Sequence, residues 1–200
     1  MISRAKEIIQ KEIDVIKNIP LEDNLEEVVK IMASCKGKVV FCGMGKAGLV
    51  AKKISATLSS SGTPSVFLHP GESQHGDLGI MGEGDVLLTM SNSGKTREVI
   101  ETVHLSKGIG SFPTICITSD TNSELAKVSD IALSIGKFEE AGPFGLMPTC
   151  STTAMTILGD ILCVLTMEER GFTLEDYSKR HHGGYIGVQA RGAKGRDESE

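Results

Sequence analysis

Two hundred residues suffice for one medium domain with a real core, or at most two small ones. With 40% hydrophobic and 24% charged residues the composition is ordinary globular, neither disordered nor fibrous. A formal net charge of −5 gives no electrostatic footprint for nucleic acid, so an anionic ligand must be bound by local geometry rather than by a basic face.

Residues 1–18 place Ile2, Ile9, Ile13 and Ile16 on one helical face, and Pro20 closes that helix. Charge is mixed throughout this stretch. It has no signal-peptide apolar block, so a cytoplasmic location is expected. Asp23 with Glu26 predicts a capping box opening a helix over 24–34. Lys38 to Cys42 reads as a short buried strand running into Gly43-Met44-Gly45-Lys46-Ala47-Gly48 and a helix to about Ser60. Pro64 to Leu68 reads as strand two and ends in a loop, 69–77. Strand three covers 85–90, followed by Ser91-Asn92-Ser93-Gly94-Lys95-Thr96 and a helix over 95–107. Strand four is 114–118 with a short helix at 122–128, and strand five is 131–135. A polar loop with Glu139 and Glu140 then leads to a long apolar helix from about Thr149. Its threonines and Asp160 mark it as a core or interface helix rather than a membrane span. A last helix near 173–179 precedes Arg180-His181-His182-Gly183-Gly184.

Strands alternating with helices, each strand a short continuous apolar run, predict an α/β protein. The expected form is a doubly wound, three-layer α/β/α sheet of five parallel strands. Residues 1–187 are expected to form one domain that includes the N-terminal helices, with 188–200 a charged, frayed tail. The five cysteines contain no CxxC pair and lie mostly in apolar runs, as buried free thiols do.

In such sheets ligands bind beyond the carboxyl ends of the strands. Both glycine- and hydroxyl-rich loops, 43–48 and 91–96, fall there. At 91–96 a helix start offers free N–H groups and the positive end of its dipole, and the hydroxyls add neutral donors. This loop is read as the anchor for the phosphate of a small sugar phosphate. The competing reading is an ordinary turn whose Ser and Thr cap the helix. Gly43-x-Gly45-x-x-Gly48 matches a dinucleotide fingerprint, but strand two ends at Leu68-His69-Pro70 without the acidic residue a ribose needs. Gly94-Lys95-Thr96 matches the end of a Walker A motif, but its first glycine is replaced by Thr89. Lys46 opposes the dipole at a helix start, which favours an anionic ligand or a substrate oxygen that needs polarising. His69 and His75 have no standard zinc spacing with a third ligand, so no metal is expected. Thr149 and Ser151, with their neighbouring hydroxyls, mark a second helix start, read either as a site for an anion or sugar hydroxyls or as plain helix capping.

Together, Gly43 to Gly48, Ser91 to Thr96, the block from His69 to Gly79, the Pro148-Thr149 stretch and the His181 turn resemble the SIS (sugar isomerase) domain family. The likeness is strongest to its arabinose-5-phosphate isomerase branch. The resemblance implies a flavodoxin-like sheet, no cofactor, and a homotetramer (a dimer of dimers) with shared active sites. It implies neither a nucleic-acid nor a membrane partner. The implied phosphate loop falls on Ser91, Ser93, Gly94 and Thr96, with Gly45, Asn92, Thr149 and Ser151 completing the substrate-binding set. The implied catalytic residues are Lys46, Glu98, Glu140 and His181, with His75 also lining the site. Ala47 stands where the family usually has Ser, Lys95 where it often has Glu, and His182 where it has Pro. None of these changes removes an implicated group. Many members carry two CBS modules after the sugar domain, and this chain is expected to be the single-domain form.

The expected reaction is aldose–ketose interconversion of arabinose 5-phosphate and ribulose 5-phosphate through an enediolate. Glu140 is the first candidate for the proton shuttle and Glu98 the second, on the expectation that burial lifts a carboxyl pKa from about 4.3 toward neutrality. Lys46 would neutralise charge developing on oxygen, and His181 would assist as acid or base, from its own or a neighbouring subunit. The alternatives are a non-catalytic sugar-phosphate sensor and an isomerase of another sugar phosphate, such as a hexulose 6-phosphate.

Overall fold

The computed structural model describes residues 1–182 together with Tyr185, Gly187 and Val188. The expected frayed tail therefore lies outside the described residues apart from Val188, as do Gly183 and Gly184 of the His181 turn. In chain order the elements are α1 (Ile2–Lys17), α2 (Asn24–Ser34), β1 (Val39–Gly43), α3 (Gly45–Ser60), β2 (Ser65–Leu68) and α4 (Pro70–Ser73). They continue as β3 (Val86–Met90), α5 (Arg97–Lys107), β4 (Thr114–Thr118), α6 (Glu124–Val128), β5 (Ile131–Ser134), α7 (Cys150–Glu169) and α8 (Leu174–Arg180). The 69–79 loop is more ordered than expected. Pro70 sits in the first turn of α4, and a 3-10 turn spans Asp77–Ile80.

The five strands form one parallel sheet in the order β2-β1-β3-β4-β5. Side chains alternate between its faces. Val39, Phe41, Leu88, Met90, Ile115 and Ile117 enter one apolar cluster with α1, α2, α3 and α7. Val40, Cys42, Leu87 and Cys116 enter another, covered by α5 and α6. Burial on both faces explains why the strands read as continuous apolar runs rather than alternating ones. Chain connection through α3 goes one way from β1, and through α5 the other way from β3. The loops after these two adjacent strands therefore part at their carboxyl ends and leave a crevice.

Two details depart from the sequence reading. No capping box forms at α2, because Asp23 already has helical angles (φ −58°, ψ −27°) and its side chain makes no cap bond. Glu26 accepts from Lys30 Nζ at 2.6 Å instead. On α1 the isoleucine face stays largely in solvent: Ile2 is 76% and Ile9 59% exposed, while Val15 is the buried contact. Helix α7 alone among the described residues is long and apolar enough to cross a membrane, and it packs on α1, α2 and α3. The cysteines are free; burial pushes the Cys42 and Cys163 thiols up to about 12 and Cys116 to about 11. Cys35 is only half-buried.

The third glycine of the 43–48 loop has a packing role. A Cβ on Gly48 would collide with the Gly43 carbonyl, so glycine lets α3 start tight against β1. Gly48→Ala is expected to lower stability by about 2 kcal/mol, since the neighbour that must yield is backbone. Urea unfolding checks this, and a midpoint equal to that of the wild type would contradict it.

Candidate active site

The crevice between the loops after β1 and β3 holds a cavity of about 390 Å³. Met44, Lys46 and Ala47 line it from the start of α3. Ser91, Asn92, Ser93 and Thr96 line it from the β3–α5 loop, and Glu140 from the loop after β5. Gly145, Leu146 and Pro148 close it from the following segment, and Ser151, Thr152 and Met155 from the first turns of α7.

The 91–96 loop is held from behind. The Asn92 carbonyl accepts from Ser119 N (3.0 Å), Ser119 Oγ (2.7 Å) and Thr118 Oγ1 (3.1 Å), all at the end of β4. Gly94 turns the chain with φ +61°, donates to Ser91 O at 3.1 Å, and lies so close to Ser123 that no Cβ would fit. Thr96 is the N-cap residue of α5 but makes no side-chain cap bond, because its hydroxyl pairs with Ser91 Oγ at 2.8 Å. The ordinary capping role is thus unfilled, and two hydroxyls and a helix N-terminus border the cavity. Lys46 is exposed and has no ion-pair partner among the described residues.

At the other wall Glu140 is buried, 8% exposed. Its Oε2 accepts from Thr149 N (2.8 Å), Thr149 Oγ1 (3.1 Å) and Ser151 N (3.2 Å). Thr149 makes no cap bond of its own, so a carboxylate nine residues upstream caps α7. Burial pushes the Glu140 carboxyl up, but hydrogen bonds from Ser151 and Thr149 outweigh it and hold the group below its ordinary 4.5. This corrects the expected lift toward neutrality. The burial is real, but the helix start supplies donors that favour the anion.

A family model described as the SIS domain matches residues 31–165. The chain belongs to the SIS domain family. Among curated relatives, arabinose 5-phosphate isomerase KdsD of Escherichia coli K12 is 44% identical over 167 residues, 84% of this chain and 51% of the relative. The chain spans about half the length of the curated relatives it matches. Two solved structures match nearly end to end. A phosphosugar isomerase, described as putative and as involved in capsule formation in Bacteroides fragilis, is 50% identical with a TM-score of 0.90, covering 92% of this chain and 99% of its own. A protein of E. coli CFT073 in complex with A5P is 36% identical with a TM-score of 0.85, covering 90% and 96%.

Within this SIS domain the expected site residues divide into three groups. Lys46, Ser91, Asn92, Ser93, Thr96, Glu140 and Ser151 meet at the cavity. Gly94 and Thr149 do not line it but shape it, one as the turn and the other through its bonds to Glu140. Gly45, Glu98, His75 and His181 do not line it. Gly45 borders a neighbouring cavity of about 400 Å³ with Lys46, Lys52 and His69. Glu98 is half-buried in the first turn of α5, its carbonyl accepting from Thr102 Oγ1 at 2.8 Å. His75 is exposed between α4 and the 3-10 turn. His181 ends α8, stacked on Tyr177 with ring centroids 3.9 Å apart and its Nδ1 3.1 Å from Tyr177 O. Among the described residues no three His, Cys, Asp or Glu side chains gather as a metal-binding group. The sequence reading missed the apolar wall of Met44, Leu146 and Met155. Met155 was visible in principle, four residues after Ser151 on the same face of α7.

A carboxyl held low in the folded state stabilises the fold above its unfolded pKa, and that stabilisation is lost as pH falls through the folded value. Glu140 therefore contributes at neutral pH and ceases to below its depressed pKa. Glu140→Gln should narrow the gap to wild type as pH drops from 7 past the ordinary carboxylate range. Chemical unfolding across that series is the measurement, and a gap independent of pH would contradict it.

Proposed function

We infer that the protein is a sugar-phosphate aldose–ketose isomerase acting on arabinose 5-phosphate and ribulose 5-phosphate. One observation carries this reading: phosphate-type donors, one lysine and one buried carboxylate share a single cavity. The similar protein solved with A5P and the named KdsD relatives favour that substrate.

The phosphate sits against Ser91, Ser93 and Thr96 at the α5 N-terminus, where the hydroxyls and backbone dipole favour an anion. This anchoring places the open-chain C1–C2 end toward Glu140. The Glu140 carboxylate takes the C2 proton of the aldose and the electron pair forms the enediolate with its charge on O1; the O2 hydroxyl proton passes to O1, and the C2 proton, or one exchanged with solvent, returns from Glu140 to C1 to give the ketose. Lys46 supports the enediolate oxygens. Glu140 is ionised at neutral pH and so is in the form that accepts a proton. Entry of a phosphate anion and exclusion of water raise its proton affinity when the substrate is bound. Glu98, outside the cavity, is a positioning residue in this scheme.

His181 acts in ring opening from a neighbouring subunit, since within one chain it lies against Tyr177 rather than at the cavity. The assembly is a homotetramer with shared sites. The exposed Ile2 and Ile9 on α1, with Phe144 (83% exposed) and Leu146 (80%) beside the cavity, supply apolar surface for it. Residues 1–187 act as one domain, because α1 packs on α7 and bonds to the Glu140 segment. A cytoplasmic location fits a small phosphorylated sugar as substrate.

Glu140→Gln is expected to lower kcat by about 10³-fold while changing substrate affinity by less than about threefold. Ser93→Ala is expected to raise KM and Kd by about tenfold with kcat nearly kept. Steady-state kinetics with a calorimetric titration of arabinose 5-phosphate read both. Retention of more than a tenth of turnover in Glu140→Gln removes Glu140 as the base.

A further inference from the structure

The backbone that carries Glu140 is held from outside the matched SIS region. Helix α1 ends well before residue 31, where the family match begins. From it Lys11 Nζ donates to the Glu140 carbonyl at 3.1 Å and pairs with Glu139 at 3.7 Å. Arg4 Nη2 donates to the next carbonyl, Ala141 O, at 3.0 Å. On the opposite side the Ala141 N–H donates to Thr149 Oγ1 at 3.0 Å, and the Glu140 carboxylate is fixed to the start of α7. The peptide joining Glu140 to Ala141 is thus clamped between two helices. The carbonyls are drawn to α1 by cations, and the amide and the carboxylate are drawn to α7. Lys11 is half-buried, with 37% of its side chain exposed, so its bond to the carbonyl is partly shielded from water. Glu12, the next residue, has a buried Oε2 without a hydrogen-bond partner among the described residues. Its negative charge pushes the Cys150 thiol up, second to burial, which places it near the α7 N-terminus. Lys11 supplies the neighbouring positive charge at that junction.

The geometry points to Lys11 as a positioning residue for catalysis: by fixing the Glu140 carbonyl it sets the direction of the Glu140 side chain toward the substrate carbon. The role rests on the reading of Glu140 as the proton-shuttling carboxylate. Lys11 touches no substrate. Without it the Glu140–Ala141 peptide can rotate, and a displacement near 1 Å at a reacting group lowers a rate by about a hundredfold. Phosphate binding, located on the β3–α5 loop, is not involved. The loss therefore falls on kcat and not on KM.

The test is steady-state isomerisation of arabinose 5-phosphate by the full chain, with a melting temperature for each variant. Lys11→Met should lower kcat about ten- to a hundredfold with KM within about twofold, and Lys11→Arg should recover most of it. Lys6→Met, on the exposed side of the same helix, should match wild type. Unchanged kcat in Lys11→Met, an equal loss in Lys6→Met, or a loss that appears in KM overturns the role. Where Lys11→Met does not fold, Lys11→Gln replaces it. Gln keeps a donor without the charge, so an intermediate kcat supports the role and a wild-type kcat overturns it. Glu140→Gln separates the two levels. Near wild-type turnover there removes the base assignment and the Lys11 role with it. An inactive Glu140→Gln beside a fully active Lys11→Met overturns the Lys11 role alone.

Discussion

The carboxylate of Glu140 sits where the 20-residue helix α7 begins, bonded to Thr149 and Ser151 through one oxygen. A helix start lacks partners for its first N–H groups and carries partial positive charge. Glu140 satisfies both needs from outside the helix. The same contact decides the position of the carboxylate, its charge state and one wall of the cavity. A buried carboxylate would ordinarily be pushed toward the neutral form. Here the donors win, and the group stays an anion in a place that water barely reaches.

The rest of the molecule brings that anchored carboxylate opposite the hydroxyl-rich loop at the start of α5. A parallel sheet with helices on both faces sends its chain outward in opposite directions from β1 and β3. The crevice that results is bordered by two helix starts, α3 with Lys46 and α5 with Ser91 to Thr96. The α7 N-terminus adds a third. The cavity thus gathers three helix starts. One is occupied by a protein carboxylate, and the other two, carrying Lys46 and the Ser91–Thr96 hydroxyls, open onto the cavity; in the proposed function they take a sugar oxygen and a phosphate. Rigidity comes from beneath, through the three bonds on the Asn92 carbonyl and the contact of Gly94 with Ser123.

Much of this was legible before the structure, for identifiable reasons. Strands buried on both faces leave continuous apolar runs, so all five were readable, and their alternation with helices implied parallel pairing. Ser91 to Thr96 stood out because hydroxyls and glycine cluster at a strand–helix junction. Local pattern failed where the deciding partner is distant in sequence. The capping box at Asp23 looked complete, but Asp23 already has helical backbone angles and its side chain makes no cap bond. The pKa direction of Glu140 depended on donors nine and eleven residues away. The link from Lys11 spans 129 residues and has no local signature. His181 and His75 entered through a resemblance to whole assemblies, and one chain does not bring them to the cavity.

The most direct test of the central assignment is proton NMR of arabinose 5-phosphate with the purified protein in heavy water, with and without EDTA. An enediolate route predicts ribulose 5-phosphate carrying deuterium at C1, deuterium appearing at C2 of recovered arabinose 5-phosphate, and the same rate in EDTA. Absence of ribulose 5-phosphate, with arabinose 5-phosphate bound but unchanged, would contradict it and leave a binding protein in place of an isomerase.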